Sequence, residues 1–184
     1  MNVGLVIFDQ FTDIDFFLPW DLLNRVRLLG LSKDWKVEIL ADQKNCLSAA
    51  GLEVKSTKPY SFANECQGLL FCSGQKTRAL LKDQIFLSNF KLDPSVQAIA
   101  AIDSGALILA ALGLLKNRKA TTYPSAFETL KELGAEPMRA AFVEDTVATA
   151  AQCLSGDKLA LWIIERLCGQ SVAERVFNSV KPLV

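Results

Sequence analysis

The sequence predicts an α/β fold: a doubly wound, mostly parallel sheet with helices on both faces. Two observations carry this reading. Short apolar runs rich in β-branched residues, as buried parallel strands require, alternate with segments whose apolar residues recur at helical spacing. No Gly/Ser linker, repeat or low-complexity stretch interrupts that alternation over 184 residues, so a single domain covering 1–184 is expected. A chain of that length buries a core without disulfide or metal staples.

The elements follow in order. "NVGLVIF" (2–8) reads as the first buried strand. Ile14, Phe17, Leu18, Leu22, Val26 and Leu29 then keep helical spacing. Pro19 lies inside that pattern, so the helix is expected to start near it, with 12–18 as an irregular loop. "WKVEILAD" (35–42) is the second strand, and "CLSAAGLEVKST" (46–57) reads as a small hairpin. "GLLFCSG" (68–74) is a strand that ends in a turn of small residues, and 76–90 gives one or two short helices. "VQAIAAI" (96–102) is the next strand and leads into a helix over 104–115. "KATTY" (119–123) is extended, 125–134 is a helix closed by Gly134, and 140–151 gives one or two strands about a turn at Asp145. A long helix over 155–168, with Ser155 as N-cap and Gly169 as C-cap, precedes a short one at 170–179. The long helix is apolar on more than one face, which calls for deep burial or a dimer interface.

Composition excludes several functions. Twenty basic and twenty acidic side chains cancel, and no basic block provides the footprint of a nucleic-acid binder. The N-terminus lacks the basic region of a signal peptide, and apolar runs of about ten residues are too short to span a bilayer. A cytoplasmic protein that uses neither nucleic acid nor membrane is expected. Cys46, Cys66, Cys72, Cys153 and Cys168 form no CxxC pair, and histidine is absent. That removes the commonest general base, the commonest zinc ligand and every Ser-His or Cys-His dyad, so no metal or cofactor is expected.

In open α/β sheets ligands sit beyond the carboxyl ends of the strands, which here are Phe8-Asp9-Gln10, Cys72-Ser73-Gly74 and Ile102-Asp103-Ser104. A strand–turn–helix elbow at Asp103 would hold its tip in an unusual backbone conformation. The amides of Ser104 and Gly105 would favour negative charge there, and Gly74 or Gln75 would supply a second amide to complete an oxyanion or anion pocket. The competing reading is an ordinary turn in which Asp103 or Ser104 caps the helix. In "FDQFTDIDFFLPWD" the carboxylates Asp9, Asp13 and Asp15 follow the first strand, either as a solvated loop or as part of the same rim. Cys72 and Ser73 line the pocket, with Phe16 and Trp20 at its mouth. Cys72 reads either as a redox thiol or as a small buried hydrophobe, and the other four cysteines as structural. Trp35 and Trp162 read as core or interface.

The segment "AAIDSGALILAALGLLKNRKATTYP" (100–124) resembles the elbow region of the ThiJ/PfpI superfamily, within the class I glutamine-amidotransferase-like fold. "IFDQFTDIDFFLPWDLL" resembles its isonitrile-hydratase-like branch, "GLLFCSG" its strand ending in Pro-Gly-Gly, and "SGDKLALWIIERLCGQSVAERV" its late helix. The resemblance implies a flavodoxin-like sheet and a homodimer. It places the family's nucleophilic cysteine at Asp103, its histidine at Tyr123 and its site aspartate at Asp15. Thiolate attack cannot run at Asp103. The implied function is a non-classical member, inactive in the usual thiol chemistry, whose role is unknown or is to bind a small-molecule ligand or a partner around Asp15, Gly74, Asp103, Ser104 and Tyr123. The alternative is a small-molecule hydratase, lyase or hydrolase that uses Asp103 and Asp15 as a carboxylate pair.

Overall fold

A computed structural model describes residues 1–182. β1 (Asn2–Val6), β2 (Lys36–Leu40), β5 (Gly68–Phe71), β6 (Ala98–Ile102), β9 (Phe142–Glu144) and β10 (Ala148–Ala150) form one sheet in the order β2-β1-β5-β6-β10-β9. All its pairings are parallel except β10 with β9. The predicted hairpin is the antiparallel pair β3 (Asn45–Leu47) and β4 (Glu53–Lys55). A second small ribbon pairs β7 (Lys119–Ala120) with β8 (Glu136–Pro137), a strand the sequence did not announce.

Helix α1 (Asp13–Leu28) packs with α6 (Gly156–Cys168) and α7 (Gln170–Asn178), and α6 lies across β5, β6 and β10. The short helices α2 (Thr77–Leu80) and α3 (Gln84–Ser88) precede β6. α4 (Gly105–Ala111) packs on β5 and β6, with α2 and α5 (Phe127–Glu132) against it. Strands β5 and β6 are buried along their whole length, as two-sided cover requires. Deep burial accounts for the apolar faces of α6: Leu159, Ala160, Trp162, Ile163 and Ile164 are all interior. Trp35 is interior too, with its indole N–H donating to the Leu23 carbonyl at 2.8 Å.

Two local expectations are corrected. Helix α1 begins at Asp13 and runs straight through Pro19. Proline has no N–H to give the carbonyl four residues earlier, here that of Asp15. The Cys72 thiol donates to that oxygen instead, at 3.5 Å. Asp13 and Asp15 in the first turn also suit the positive end of the helix dipole. Ser155 precedes α6 but makes no side-chain capping bond, whereas Gly169 closes the helix at φ +87° as expected.

The elbow depends on close approach. A Cβ built on Gly105 would stand 2.5 Å from the Phe71 carbonyl oxygen and 2.8 Å from that of Cys72. Both are backbone atoms of the neighbouring strand end and cannot move aside cheaply. Gly105→Ala should therefore lower stability by roughly 1–3 kcal/mol, the usual cost of overpacking. Urea unfolding measures it, and a midpoint equal to wild type would contradict the packing described.

Candidate functional site

Asp103 sits at φ +54°, in the left-handed region that Asp tolerates better than most residues. Its N–H donates to the Ala150 carbonyl of the adjacent strand at 2.8 Å, and its carbonyl accepts from the Thr122 hydroxyl at 2.8 Å. The tip is thus fixed from both sides. The Asp103 carboxylate folds back and accepts from the Ser104 N–H, directly beside it. Asp103 therefore takes the elbow amide for itself. It does not cap the helix in the ordinary way, by bonding an amide two or three residues on.

The three carboxylates after β1 diverge. Asp9 accepts from the Leu47 N–H at 3.1 Å and from Lys76 at 3.1 Å. Asp13 accepts from the Ser48 hydroxyl at 2.5 Å and the Ala50 N–H at 3.0 Å, tying α1 to the hairpin. Asp15 alone turns inward and is 0% exposed. One of its oxygens accepts from the Ser73 hydroxyl at 2.5 Å, while Oδ1 has no hydrogen-bond partner. The Thr12 hydroxyl lies 2.9 Å from that of Ser73.

Asp15 and Asp103 do meet, and Cys153 joins them. One carboxylate oxygen from each and the Cys153 sulfur all lie within 4.8 Å of one another. Cys153 opens a 3-10 turn (Cys153–Ser155) just beyond β10. Sequence reasoning gave this thiol only a structural role. The sequence reading of 140–151 as one or two strands did not place their end beside β6, and it is the β10–β6 pairing that brings Cys153 to the rim. Burial raises the Asp15 carboxyl above its ordinary range, opposed by the Cys153 thiol and the Ser73 hydroxyl. Asp103 is pushed up to about 6, chiefly by burial and further by Asp15, while the Ser104 amide and the Arg78 charge pull the other way. Burial and then Asp15 push the Cys153 thiol up to about 12, so it is protonated at neutral pH.

Other expected site residues fall elsewhere. The second oxyanion amide is not on offer. The Gly74 N–H donates to the Thr77 hydroxyl at 3.2 Å, and the Gln75 N–H to the Gln10 carbonyl at 2.9 Å. Gly74 is needed as glycine because a Cβ there would run into the Gln10 carbonyl oxygen and the Phe11 Cα. The Ser104 hydroxyl faces Thr77 at 3.2 Å. Cys72 is fully buried and its thiol is held well above its ordinary range, first by burial and then by Asp15, which suits a packed thiol and not a redox one. Phe16 is not at a pocket mouth: it is 1% exposed, with its ring edge-on to Phe11 and stacked on Trp20 at 5.6 Å. Tyr123 is largely exposed, and its neighbour Thr122 makes the bond to the elbow. A cavity of about 250 Å³ lined by Pro124, Phe127, Arg139, Ala140, Ala141, Ala151 and Gln152 opens alongside. Ala151 and Gln152 in its wall precede Cys153 in the chain, but Asp15, Asp103 and Cys153 are not among its lining residues.

A parallel sheet with an elbow at the end of a central strand and acidic groups gathered over it defines a flavodoxin-like α/β protein with its site at the carboxyl rim. The chain belongs to the DJ-1/PfpI family, which matches residues 1–166. Isonitrile hydratase of Pseudomonas putida is 26% identical to it over 179 residues, spanning 96% of this chain and 76% of that protein. Among solved structures, a ThiJ/PfpI family protein from Pseudomonas syringae superposes with a TM-score of 0.85 at 26% identity, covering 100% of this chain and 76% of the other. An AraC family transcriptional regulator from Pseudomonas putida shares the fold with a TM-score of 0.81 at 23% identity, covering 98% and 99%. Among the described residues no helix is long and apolar enough to cross a membrane.

One consequence concerns pH. The Leu47 N–H and then Lys76 hold Asp9 below the ordinary carboxylate value of 3.8. A depressed folded-state pKa adds stability above the unfolded value, and this is lost as pH falls through the folded one. Asp9→Asn should thus flatten the loss of stability below about pH 4 and leave the slope between pH 6 and 8 unchanged. Thermal melts across that range measure it, and an unaltered acid limb would refute the pairing.

Proposed function

We propose that this chain is a non-classical DJ-1/PfpI protein that binds a small ligand at the rim beside Asp103, Asp15 and Cys153, without cysteine-nucleophile chemistry. The observation that carries this reading is the Asp103 carboxylate bonded to the Ser104 amide. The resemblance to ThiJ/PfpI proteins puts the nucleophilic thiol at that position, and here a carboxylate fills it. A cavity of about 250 Å³ near the end of β10 suits a small molecule, and Arg139 within it has no carboxylate partner among the described ion pairs. A cytoplasmic homodimer is part of the same proposal. It is supported by zero net charge and by the exposed apolar residues Ile14, Phe17, Leu47 and Leu52 on α1 and the hairpin joined by Asp13.

A second reading is favoured by the proximity of the two carboxyl groups, within 4.8 Å. In it Asp103 and Asp15 divide acid and base roles in a hydratase, lyase or hydrolase. A hydration or elimination activity that Asp103→Asn abolishes would establish it, and the same activity surviving in that variant would exclude it.

The binding proposal predicts that a thermal-shift screen of small molecules and ions finds at least one that raises the wild-type Tm by several degrees. Asp103→Asn should remove most of that shift, and wild type should not hydrate isonitriles. Isonitrile turnover by wild type, or a screen without an Asp103-dependent shift, would contradict it.

A further inference from the structure

We infer that Asp15, Asp103 and Cys153 form a site for one zinc-type divalent transition-metal ion, which names the class of ligand for the pocket proposed above and rests on that reading. Three chain segments deliver the donors: the first turn of α1, the elbow after β6 and the turn after β10. Their donor atoms lie within 4.8 Å of one another. A cluster of this kind means little by itself. The independent observation is Asp15 Oδ1, which belongs to a residue 0% exposed and has no hydrogen-bond partner. A buried carboxylate oxygen left without a partner is costly, and native structures rarely keep one without a function.

The remaining chemistry agrees. Each carboxylate has one oxygen oriented by a protein donor, Asp15 by the Ser73 hydroxyl and Asp103 by the Ser104 N–H. Support of that kind commonly fixes metal ligands. The Cys153 thiol already faces the Asp15 carboxylate closely enough to pull its pKa down. Two carboxylate oxygens and one sulfur leave a fourth tetrahedral position for water or a small ligand, as in zinc sites that stay open. Zinc bonds of about 2.0 Å to oxygen and about 2.3 Å to sulfur would draw the donors together by roughly 1 Å. Asp103 and Cys153 are partly exposed and sit on turns, so side-chain rotation can supply this. The thiol releases its proton to solvent as the bond forms. The sulfur selects for zinc-like ions over Mg²⁺ or Ca²⁺, which prefer oxygen alone. Anions are disfavoured at this point because the Asp103 carboxylate itself occupies the Ser104 amide.

Cobalt(II) titrated into EDTA-treated, dialysed full-length protein tests the site. The expected result is one equivalent bound, with the ultraviolet charge-transfer absorption of a cobalt–thiolate bond. Zn²⁺ should displace it, and Mg²⁺ at the same concentration should not. Cys153→Ser should abolish the charge-transfer band, and Asp103→Asn should weaken binding at least tenfold, with circular dichroism confirming that both variants fold. Absence of the band in wild type, or its persistence in Cys153→Ser, overturns the metal site. If an organic compound still raised the Tm through Asp103 in excess EDTA while the band was absent, the metal would be excluded and the pocket retained.

Discussion

The approach of the elbow to the end of β5 is the constraint on which the rest of the structure depends. Gly105 lies so close to the Phe71 and Cys72 carbonyls that no side chain fits there. Two residues before it, Asp103 takes a left-handed conformation at φ +54° at the head of α4. The same strand end holds Ser73, which orients Asp15, and Cys72, which supplies the donor that Pro19 withholds from the Asp15 carbonyl. The start of α1, the tip of the elbow and the end of β5 are therefore one mechanical unit. Side chains carried on it inherit its positional accuracy.

The electrostatics of this unit run opposite to those of an elbow that presents a nucleophile. Such an elbow keeps its amides open to stabilise negative charge. Here Asp103 supplies that charge itself, and two further acidic or thiol groups stand beside it in a partly dry setting. Asp15, Asp103 and Cys153 are each raised, mainly by burial; Asp15 adds to the rise of Asp103, both carboxylates add to that of Cys153, and the Cys153 thiol pulls Asp15 back down. An arrangement of this kind is costly while empty of positive charge, and a bound cation relieves it. Arg78 contributes some positive potential from the side, yet it forms no ion pair with Asp103 among the described contacts.

Much of the fold was legible in the sequence because it depends on local pattern. Continuous apolar runs marked β1, β5 and β6, and Asp-Ser-Gly between a strand and an apolar helix marked the elbow. The start of α1 was not legible, since the rule that proline ends or begins a helix holds only where no other donor serves the freed carbonyl. Placing the helix start late also lost its rotational phase. With the helix running from Asp13, the buried stripe is Asp15, Phe16, Pro19, Leu22, Leu23 and Val26, which sends Phe16 into the core and leaves Phe17 outside. In the site, Asp15 and Asp103 were legible from their positions after strands. Cys153 was not, because it joins them only through the pairing of β10 with β6, a contact between residues far apart in sequence. The loss of the Gly74 and Gln75 amides had the same origin, since Thr77 and Gln10 claim them through the tertiary fold.

The central claim is that this rim has become a cation site built on a carboxylate elbow. Crystals grown with zinc, with diffraction recorded on both sides of the zinc absorption edge, test it most directly. The account predicts one strong anomalous peak bonded to the Asp15 and Asp103 carboxylates and the Cys153 sulfur. The Ser73 and Ser104 hydrogen bonds to those carboxylates should be intact. Anomalous density confined to surface carboxylates, with Asp15 Oδ1 still unpartnered, would contradict it.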